Sequence, residues 1–391
     1  MDRFKKLGIN IYMSNLDKNN NDKKKILLVT LQDQNNFGNR LQNYALQTVL
    51  QDMDYEVTTP FYPPYVPNYG SQIKIFLKKI LYKLGQNKHM RVAKSTTLDK
   101  NRKDCFIDFD KKYISNRVAI NMDNMEEFST EEYNYAITGS DQVWHHWRVL
   151  GDKELDYFYL EFMPEDKRIS YAASFGFSKV PKDDMASHTE GLKGMHSISC
   201  REKRGCEIVK ELSGRDATLL PDPTFLLNFL QWERIGQKPE WSIKGPYLLR
   251  FFLGNLTSEY EKATKKFARE RGLKIIDIYD IRSKKYSKVG PSEFIWLISN
   301  ADYICTDSFH ACVFSIIFHR DFTAFRRIEM FFGDMFGRID TLLTNTGLRE
   351  AIFDPDDVKD NRFSDKSWEI ADESMKTKAE IGRAYLRENL K

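Results

Sequence analysis

Short apolar segments alternate with longer segments of helical periodicity along most of this chain, and this alternation restricts the fold more than any other feature. The apolar run at 26–31 predicts a buried strand, and apolar residues recur at helical spacing between positions 41 and 49. The segment "YEVTT" at 55–59 predicts the next strand. A strand, a helix and a strand in this order predict a parallel β-α-β unit that opens a doubly wound sheet.

The same alternation continues to the end of the chain and starts afresh in its second half. Alternating strands and helices predict an α/β fold with parallel sheets. Further strands are predicted at 134–138, 168–174, 195–200, the start of 217–227, 246–253, 273–279, 302–306 and 321–325. Helices are predicted at 202–212, 258–272, 291–299, 308–319 and 367–389.

The length of 391 residues suits two domains of about 150–200 residues each. We expect the second domain to begin where the alternation restarts, and the last helix to cross back over the first domain. The expected divisions are a flexible tail at 1–24, an N-terminal domain at 25–200 with a basic helical insert at 71–103, a C-terminal domain at 201–350, and a linker with the final helix at 351–391.

Charge is nearly balanced over the whole chain but not within it. A formal net charge of +4 argues against general nucleic-acid binding. Residues 71–103 contain ten Lys or Arg and one Asp, which gives this stretch a net charge of +9. No apolar stretch of about 18 residues is present, so no membrane span is predicted. Five scattered cysteines without CxxC spacing predict reduced thiols, a cytoplasmic protein and no zinc site.

The basic stretch contains a segment, 73–84, with the pattern of an amphipathic helix. Its apolar residues recur at helical spacing, and four lysines fall on the opposite arc. This pattern is typical of a basic helix that lies on anionic lipid. The alternative is an ordinary domain helix whose apolar stripe faces the core. The apolar residues are Ile73, Phe76, Leu77, Ile80, Leu81 and Leu84, and the lysines are Lys74, Lys78, Lys79 and Lys83.

Four polar clusters follow predicted strands, and ligands of open α/β sheets bind at the carboxyl ends of the strands. The first cluster contains Asn36, Gly38, Asn39 and Gln42, at the start of the first predicted helix. A helix N-terminus favours an anion or a ligand rich in hydroxyl groups. The alternative is that Asn39 caps the helix and Gly38 is a turn glycine.

The second cluster is "TGSDQVWHHW" at 138–147. Ser140, Asp141 and Gln142 are candidates to bond sugar hydroxyls, and Trp144 is a candidate to stack on a sugar face. The alternatives are a helix cap at 140 or 141 and a core tryptophan at 144. Adjacent side chains point in different directions, so the two histidines at 145 and 146 make a poor joint metal site.

The third cluster is "SISCREKRG" at 197–205, with Arg201 and Glu202 at the end of a predicted strand. Arginine binds a carboxylate or a phosphate through two parallel hydrogen bonds. The alternative is an Arg–Glu surface pair.

The fourth cluster is "TDSFHACVFS" at 306–315, in which Asp307, Ser308 and His310 open an apolar helix. Its alternative is that Ser308 caps the helix and His310 is a satisfied buried histidine.

Together these segments resemble the polysaccharide pyruvyl transferase family, in their order and spacing, over about residues 25–330. The resemblance is carried by "NNFGNRLQNYALQTVL", "ITGSDQVW", "SCREKRG" followed by "LPDPTFLL", and "TDSFHACVFSIIF". The family's usual glycine after the motif histidine is Ala311 here. Some members have an arginine two residues before that histidine, where this chain has Ser308. Anion binding is therefore expected to depend on Arg201 or on another basic residue that the sequence does not place.

The resemblance implies a fold similar to a GT-B glycosyltransferase, in which two Rossmann-like domains with parallel sheets face a cleft. The N-terminal domain would bind the acceptor and the C-terminal domain the donor. The implied reaction moves pyruvate from phosphoenolpyruvate onto two hydroxyls of one sugar of a capsule or exopolysaccharide repeat unit. It forms a cyclic ketal, releases phosphate, and needs no cofactor beyond the donor and no metal.

The resemblance also suggests roles for individual residues. His310 is the expected acid, with Glu202 or Asp307 as substitutes, and Asp141 is the expected base or orienting group. The predicted catalytic residues are therefore His310, Asp141 and Glu202. The predicted donor-binding residues are Arg201, Asp307, Ser308 and His310. The predicted acceptor-binding residues are Asn36, Gly38, Asn39, Gln42, Ser140, Gln142 and Trp144.

Capsule and exopolysaccharide repeats are built on a lipid carrier, so the resemblance implies a lipid-linked acceptor, and it also implies that the sugar is of the galactose type. The helix at 73–84 would then hold the enzyme at the inner face of the plasma membrane. Two other functions stay open at this point: a GT-B glycosyltransferase with a nucleotide-sugar donor, and a non-catalytic polysaccharide-assembly protein of the same fold.

Overall fold

A computed structural model describes most of the chain. The described residues are 23–62, 97–114, 116–146, 148, 151, 153–280, 283–328, 336–355 and 363–391. The predicted helix at 73–84, most of the basic insert, and residues 1–22 of the predicted tail lie outside these ranges. No helix in the described part of the chain combines the length and the apolar character that crossing a bilayer requires.

The first half of the chain forms a parallel sheet whose central strand is β1. Five strands pair in the order β3-β2-β1-β4-β5, and isolated parallel bridges join β5 and the segment after it to the pair β6-β7. Leu27 of β1 lies between Thr58 and Ala136 of its two neighbours. The strands are β1 Lys25–Val29, β2 Glu56–Phe61, β3 Arg117–Ala119, β4 Tyr135–Thr138, β5 Arg168–Ser170, β6 Ser199–Cys200 and β7 Thr218–Leu219.

The second half forms a smaller parallel sheet in the order β11-β10-β8-β9. Every strand that the sequence predicts is present, and the α/β fold class with two parallel, Rossmann-like sheets is confirmed. The sequence did not predict β3, which has three residues and two exposed ends. The strands of the second sheet are β8 Tyr247–Phe251, β9 Lys274–Asp277, β10 Tyr303–Thr306 and β11 Phe322–Ala324.

Side-chain caps fix the starts of several helices. Asn36, Thr257, Ser308 and Ser364 each accept a hydrogen bond from a backbone N–H of the first turn. The helices are α1 Phe37–Asp52, α2 Thr97–Tyr113, α3 Glu154–Phe158, α4 Met185–Lys193, α5 Lys203–Ser213, α6 Phe229–Glu233, α7 Ser258–Glu270, α8 Pro291–Ser299, α9 Phe309–Ile317, α10 Gly337–Asn345 and α11 Asp365–Asn389.

Buried apolar residues of both halves pack together in one hydrophobic core. Phe37, at the start of α1, stacks on Phe294 of α8 with ring centres 4.7 Å apart. It also meets the edge of Phe251 of β8 at 5.7 Å. The first helix of the first sheet is therefore fixed directly against the second half of the chain. All five cysteines are free thiols, and Cys200, Cys305 and Cys312 are buried.

The final helix, α11, contacts both halves. Near its start Trp368 stacks on His319, with ring centres 5.1 Å apart. Near its end Tyr385 donates a hydrogen bond to the carbonyl of Ser170 in β5 (3.1 Å). Asn389 is hydrogen-bonded to Ser197, just before β6. This helix therefore connects the segment before β11 with β5 and the segment before β6.

Candidate active site

The polar clusters that the sequence places after four strands converge where the two halves of the molecule meet. The structure brings together Asn39 of α1, Asp141 after β4, Arg201 after β6 and His310 at the start of α9. These elements meet because strands of a parallel sheet end at the same edge. The resulting site is a cluster of charged groups, most of them buried.

Arg201 is the centre of this cluster and is almost fully buried, with 3% of its side chain exposed. Its Nη1 donates to Asp222 and its Nη2 to Asp141, both at 2.8 Å. Burial alone would lower the pKa of Arg201, but the carboxylates of Asp141, Asp222 and Glu202 raise it above its ordinary value. Arg201 is therefore a fixed internal cation, and two carboxylates already occupy the groups predicted to grip the donor.

Asp222 is fully buried and was not among the residues predicted for the site. Its Oδ1 accepts hydrogen bonds from the backbone N–H (3.1 Å) and the hydroxyl (2.8 Å) of Thr224. Its Oδ2 faces Arg201 and, at 3.4 Å, the hydroxyl of Ser140. Burial would raise the pKa of Asp222. The charges of His310 and Arg201 outweigh burial and hold that pKa well below its ordinary value.

Asp141 is held by residues from two distant segments of the chain. Asn39 Nδ2 donates to its Oδ2 at 2.5 Å, while Arg201 donates to its Oδ1. Burial raises the pKa of Asp141, but the positive charges of Arg201, His310 and Arg338 lower it overall. A carboxylate with a lowered pKa and occupied oxygens is a weak base, so the geometry favours Asp141 as an orienting group.

Ser140 and Gln42 complete the N-terminal side of the site. The backbone N–H of Ser140 donates to Gln42 Oε1 at 2.8 Å. The Ser140 hydroxyl donates to the carbonyl of Ala172 at 2.8 Å. These bonds fix the turn after β4, in which Asp141 adopts a left-handed backbone conformation with φ 69°.

His310 lies between the two halves at the edge of the cluster, with 11% of its side chain exposed. Its Nε2 is 3.5 Å from Asp222 Oδ2, a charge contact that falls short of a complete hydrogen bond. The imidazole also lies against the backbone of α1. A Cβ atom at Gly38 would lie only 2.1 Å from Nδ1 of His310, so the glycine is what allows the ring this position.

Two arginines near His310 were not predicted. Arg338 Nη1 is 3.9 Å from Asp141 Oδ1, and its guanidinium is 5.9 Å from the centre of the Phe309 ring. Arg201 contacts the same ring at 5.5 Å. Arg327 Nε is 3.7 Å from Asp307 Oδ2. These are basic residues near the site that the sequence required but did not place, since no motif surrounds either one.

Two predicted donor-binding residues have structural partners instead. The carboxylate of Asp307 accepts the backbone N–H groups of Leu253 (2.7 Å) and Gly254 (2.8 Å) after β8, and 1% of its side chain is exposed. Ser308 caps α9 by accepting the N–H of Ala311 at 3.4 Å. The oxygens of both side chains accept hydrogen bonds from backbone N–H groups. Asp307 and Ser308 therefore stabilise the turn that precedes His310.

Glu202 lies beside Arg201, at the start of α5. Its Oε1 accepts a hydrogen bond from the hydroxyl of Ser174 at 2.7 Å. Its Oε2 is 4.0 Å from Arg201 Nε and has no hydrogen-bond partner among the described residues. Because 23% of its side chain is exposed, Glu202 is the most accessible carboxylate of this cluster.

Three predicted acceptor-binding residues have structural contacts of their own. Trp144 is fully buried and stacks on Tyr159 with ring centres 5.2 Å apart, so it is the core tryptophan of the alternative interpretation. Asn36 caps α1. Gln142 is buried against Gly176. Among the residues that the structure describes, no group of three or more His, Cys, Asp or Glu is arranged to hold a metal ion.

Comparison with known proteins identifies the family. The family model for polysaccharide pyruvyl transferase matches residues 36–327. The matched segment contains Asn39, Asp141, Arg201, Asp222 and His310, which are the residues that the fold brings together. A comparison with curated proteins finds no match.

Solved structures with a similar course of the chain are distant in sequence. UDP-GlcNAc 2-epimerase from Methanocaldococcus jannaschii has 13% identity and a TM-score of 0.43, over 92% of this chain and 93% of that chain. The trehalose-6-phosphate phosphatase N-terminal domain from Candida albicans has 11% identity and a TM-score of 0.45, over 96% and 98%. UGT89C1 from Arabidopsis thaliana, complexed with UDP-L-rhamnose, has 11% identity and a TM-score of 0.44, over 94% of each chain.

Because these TM-scores lie below 0.5, the structural likenesses carry no argument about activity. The family match does identify the chain, because it spans residues 36–327 and includes strands of both sheets. This chain therefore belongs to the polysaccharide pyruvyl transferase family and is a transferase.

Proposed function

We propose that this transferase moves pyruvate from phosphoenolpyruvate onto two hydroxyls of one sugar in a capsule or exopolysaccharide repeat unit. The products would be a cyclic pyruvate ketal and inorganic phosphate. One observation carries the proposal: His310 is held at the junction of the two halves, beside a buried Asp222–Arg201–Asp141 network. That arrangement fixes a candidate proton donor beside a buried carboxylate, Asp222, that can stabilise its protonated form.

The first chemical step would be proton transfer from His310 to the terminal methylene carbon of the enol. This creates positive character at the adjacent carbon, C2, and one sugar hydroxyl then adds to C2 through its oxygen. Asp222 is suited to stabilise the protonated imidazole, because its carboxylate is charged and 3.5 Å from Nε2. Arg201 and Thr224 hold that carboxylate in place.

In the second step the bond between C2 and the phosphate oxygen breaks, and the second hydroxyl attacks C2 to close the ketal ring. Of the two hydroxyl protons, one restores His310 and the other leaves with phosphate, so the protons balance. Glu202 is a better candidate than Asp141 to accept the hydroxyl proton that then leaves with phosphate, because its Oε2 is unbonded among the described residues. Asp141 orients the site, since its oxygens are occupied.

The decisive experiment measures phosphate release from phosphoenolpyruvate with a panel of glycosides, followed by mass spectrometry of the sugar product. The wild-type enzyme should release phosphate only with an accepted glycoside and should add one pyruvate to it. Replacing His310 with Gln should lower kcat by about 10²- to 10⁴-fold, the usual range for a lost general acid.

His319→Gln is the matched control. His319 follows the C-terminal end of α9, whereas His310 lies in its first turn, and His319 is paired with Asp372 at 2.9 Å. It should keep wild-type turnover. Absence of phosphate release with every glycoside, or equal turnover of His310→Gln and wild type, would contradict the proposal. A thermal shift with UDP and none with phosphoenolpyruvate would support a nucleotide-sugar glycosyltransferase instead.

We further propose a galactose-type, lipid-linked acceptor and a position at the inner face of the plasma membrane. The galactose-type sugar rests on the family alone, and the membrane position rests on the sequence of 73–84, which lies outside the described residues. Sedimentation with anionic liposomes tests it. Lipid binding at low salt should disappear when Lys74, Lys78, Lys79 and Lys83 are neutralised; unchanged binding, or none in the wild type, would contradict it.

A further inference from the structure

Arg338 is a largely buried arginine whose charge is poorly matched by the described residues around it. Only 19% of its side chain is exposed, and it makes no hydrogen bond with any described residue. Its contacts are a 3.9 Å approach to Asp141 Oδ1 and the Phe309 ring at 5.9 Å. A guanidinium carries five N–H donors in a planar fork, so this group has donors available on the site.

The contrast with Arg201 shows why this matters. Each terminal nitrogen of Arg201 donates to its own carboxylate at 2.8 Å. Arg338 approaches only Asp141, and the same Oδ1 atom already accepts a hydrogen bond from Arg201. One carboxylate oxygen thus faces two guanidinium groups, and Arg338 is the one left at the longer distance.

Other positive charges near Arg338 make its own charge less favourable in the free protein. Burial and the positive charges of Arg201 and Arg327 lower its pKa to about 10, against the opposing effect of Asp141 and Glu202. At neutral pH Arg338 stays charged. An incoming anion would offset both the burial of this charge and its repulsion from the other two guanidinium groups.

We propose that Arg338 binds an anionic group of the donor, a carboxylate or phosphate, through its guanidinium fork. The inference rests on the proposed function, because phosphoenolpyruvate carries both groups. The position is suitable, since Phe309, which Arg338 contacts, directly precedes His310. Arg338 lies beyond the matched residues 36–327, so the assignment concerns a residue outside the family model.

The test compares binding and turnover in the full-length protein. Calorimetry with phosphoenolpyruvate, inorganic phosphate and pyruvate should show a rise in Kd of about 10- to 100-fold for phosphoenolpyruvate in Arg338→Gln. The same loss with phosphate alone identifies the phosphate as the bound group, and the same loss with pyruvate alone identifies the carboxylate. In turnover, KM for phosphoenolpyruvate should rise by a similar factor while kcat changes less.

Two further variants separate binding from folding. Arg338→Lys keeps the charge but loses the fork, and should have a Kd between those of wild type and Arg338→Gln. Arg349→Gln is the matched control, because Arg349 follows α10, is 68% exposed and is paired with Asp340 at 3.2 Å. It should bind all three ligands as the wild type does.

Unchanged Kd and KM for phosphoenolpyruvate in Arg338→Gln would overturn the assignment, and so would a lower melting temperature with unchanged Kd. These results differ from a failure of the proposed function, in which the wild-type enzyme itself would release no phosphate from phosphoenolpyruvate. Phosphate or pyruvate binding that depends on Arg338 would stand even in that case.

Discussion

The buried and the accessible parts of the site differ in how completely their polar groups are paired. The buried floor consists of Arg201, Asp141 and Asp222, each with at most 9% of its side chain exposed and each bonded to at least two partners. The accessible rim consists of His310, Glu202 and Arg338, with 11–23% exposed. Its members keep unbonded nitrogen or oxygen atoms among the described residues, whereas in the floor the Nε of Arg201 is the one buried side-chain atom that does.

This difference indicates a division of work. Paired charges in the floor are already neutralised and cannot bind a ligand without breaking internal bonds, so the floor is a rigid support. Unpaired groups in the rim are costly in the free protein and are satisfied when an anion or a hydroxyl arrives. The following predictions test whether floor and rim behave as two separate units.

The largest expected effect is on stability and follows from removing the cation of the floor. Arg201→Met leaves the buried carboxylates of Asp141 and Asp222 without the cation to which both are bonded, which should lower the free energy of unfolding by about 3–5 kcal/mol. Urea unfolding at neutral pH measures it. Activity should be lost as well, because His310 faces Asp222.

A triple variant is the control for this prediction. Combining Arg201→Met with Asp141→Asn and Asp222→Asn removes all three charges, and the triple variant should be more stable than Arg201→Met alone. If the single variant is as stable as the wild type, the floor is not held together by these charges, and its distinction from the rim fails.

The next largest effect is on turnover. It follows from Gly38→Ala, which displaces the ring of His310 without changing that residue. A Cβ at Gly38 would lie 2.1 Å from Nδ1 of His310, so Gly38→Ala should push the imidazole away from Asp222. A misplaced catalytic group commonly costs about 10²-fold, and kcat should fall by that order. Stability should change by only about 1 kcal/mol, because alanine favours helix while the contact opposes it.

Gly337→Ala is the matched control, since a Cβ at Gly337 meets no atom of the described residues within 4 Å. It should have the turnover of the wild type. Equal kcat for Gly38→Ala and wild type would show that the ring position of His310 does not limit catalysis.

The membership of floor and rim shows how far the sequence alone reaches. Asn39, Asp141, Arg201 and His310 are predictable, because each follows a strand and parallel strands end at one edge of a sheet. Their pairing is not predictable from local pattern. Arg201 has the residue type of an anion-binding group, but two carboxylates from distant segments occupy it.

The roles of some site residues cannot be predicted from local pattern. Asp222 lies in the segment "LPDPTFLL" that carries the resemblance, but it follows a strand of only two residues in a turn that reads as a Pro-containing connection, so nothing local indicates its role. Arg338 stands in an ordinary helix, and only tertiary packing brings it to Asp141. The fold is more predictable than the site, because hydrophobic periodicity is local whereas charge pairing depends on contacts between residues 21 positions apart (Arg201–Asp222) or 60 positions apart (Arg201–Asp141).

A smaller effect tests whether Trp144, in the "TGSDQVWHHW" segment, belongs to the rim. Trp144 is fully buried and its indole N–H has no partner among the described residues, so Trp144→Phe should cost about 1–2 kcal/mol of stability through the cavity it leaves. Turnover per folded molecule and KM for the acceptor should not change. A rise in acceptor KM of tenfold or more would return Trp144 to the sugar-binding residues.

The smallest expected effect is a pH dependence that isolates one carboxylate of the floor. In the folded protein the pKa of Asp222 lies well below its ordinary value of 3.8. The unfolded chain therefore takes up a proton at this residue as pH falls through about 4, while the folded protein does not. The stabilisation is fully present above that pH and is lost progressively below it.

Asp222→Asn removes this titration, so the gap in unfolding free energy between wild type and variant should narrow as the pH falls. The expected slope is up to about 1.4 kcal/mol per pH unit below pH ~4. Asp216→Asn is the control, because Asp216 is 90% exposed in its pair with Lys210 and should give a constant gap. A gap for Asp222→Asn that stays constant from pH 7 to 3 would mean that the pKa of Asp222 is not lowered. The buried carboxylate would then be no better fixed than the groups of the rim.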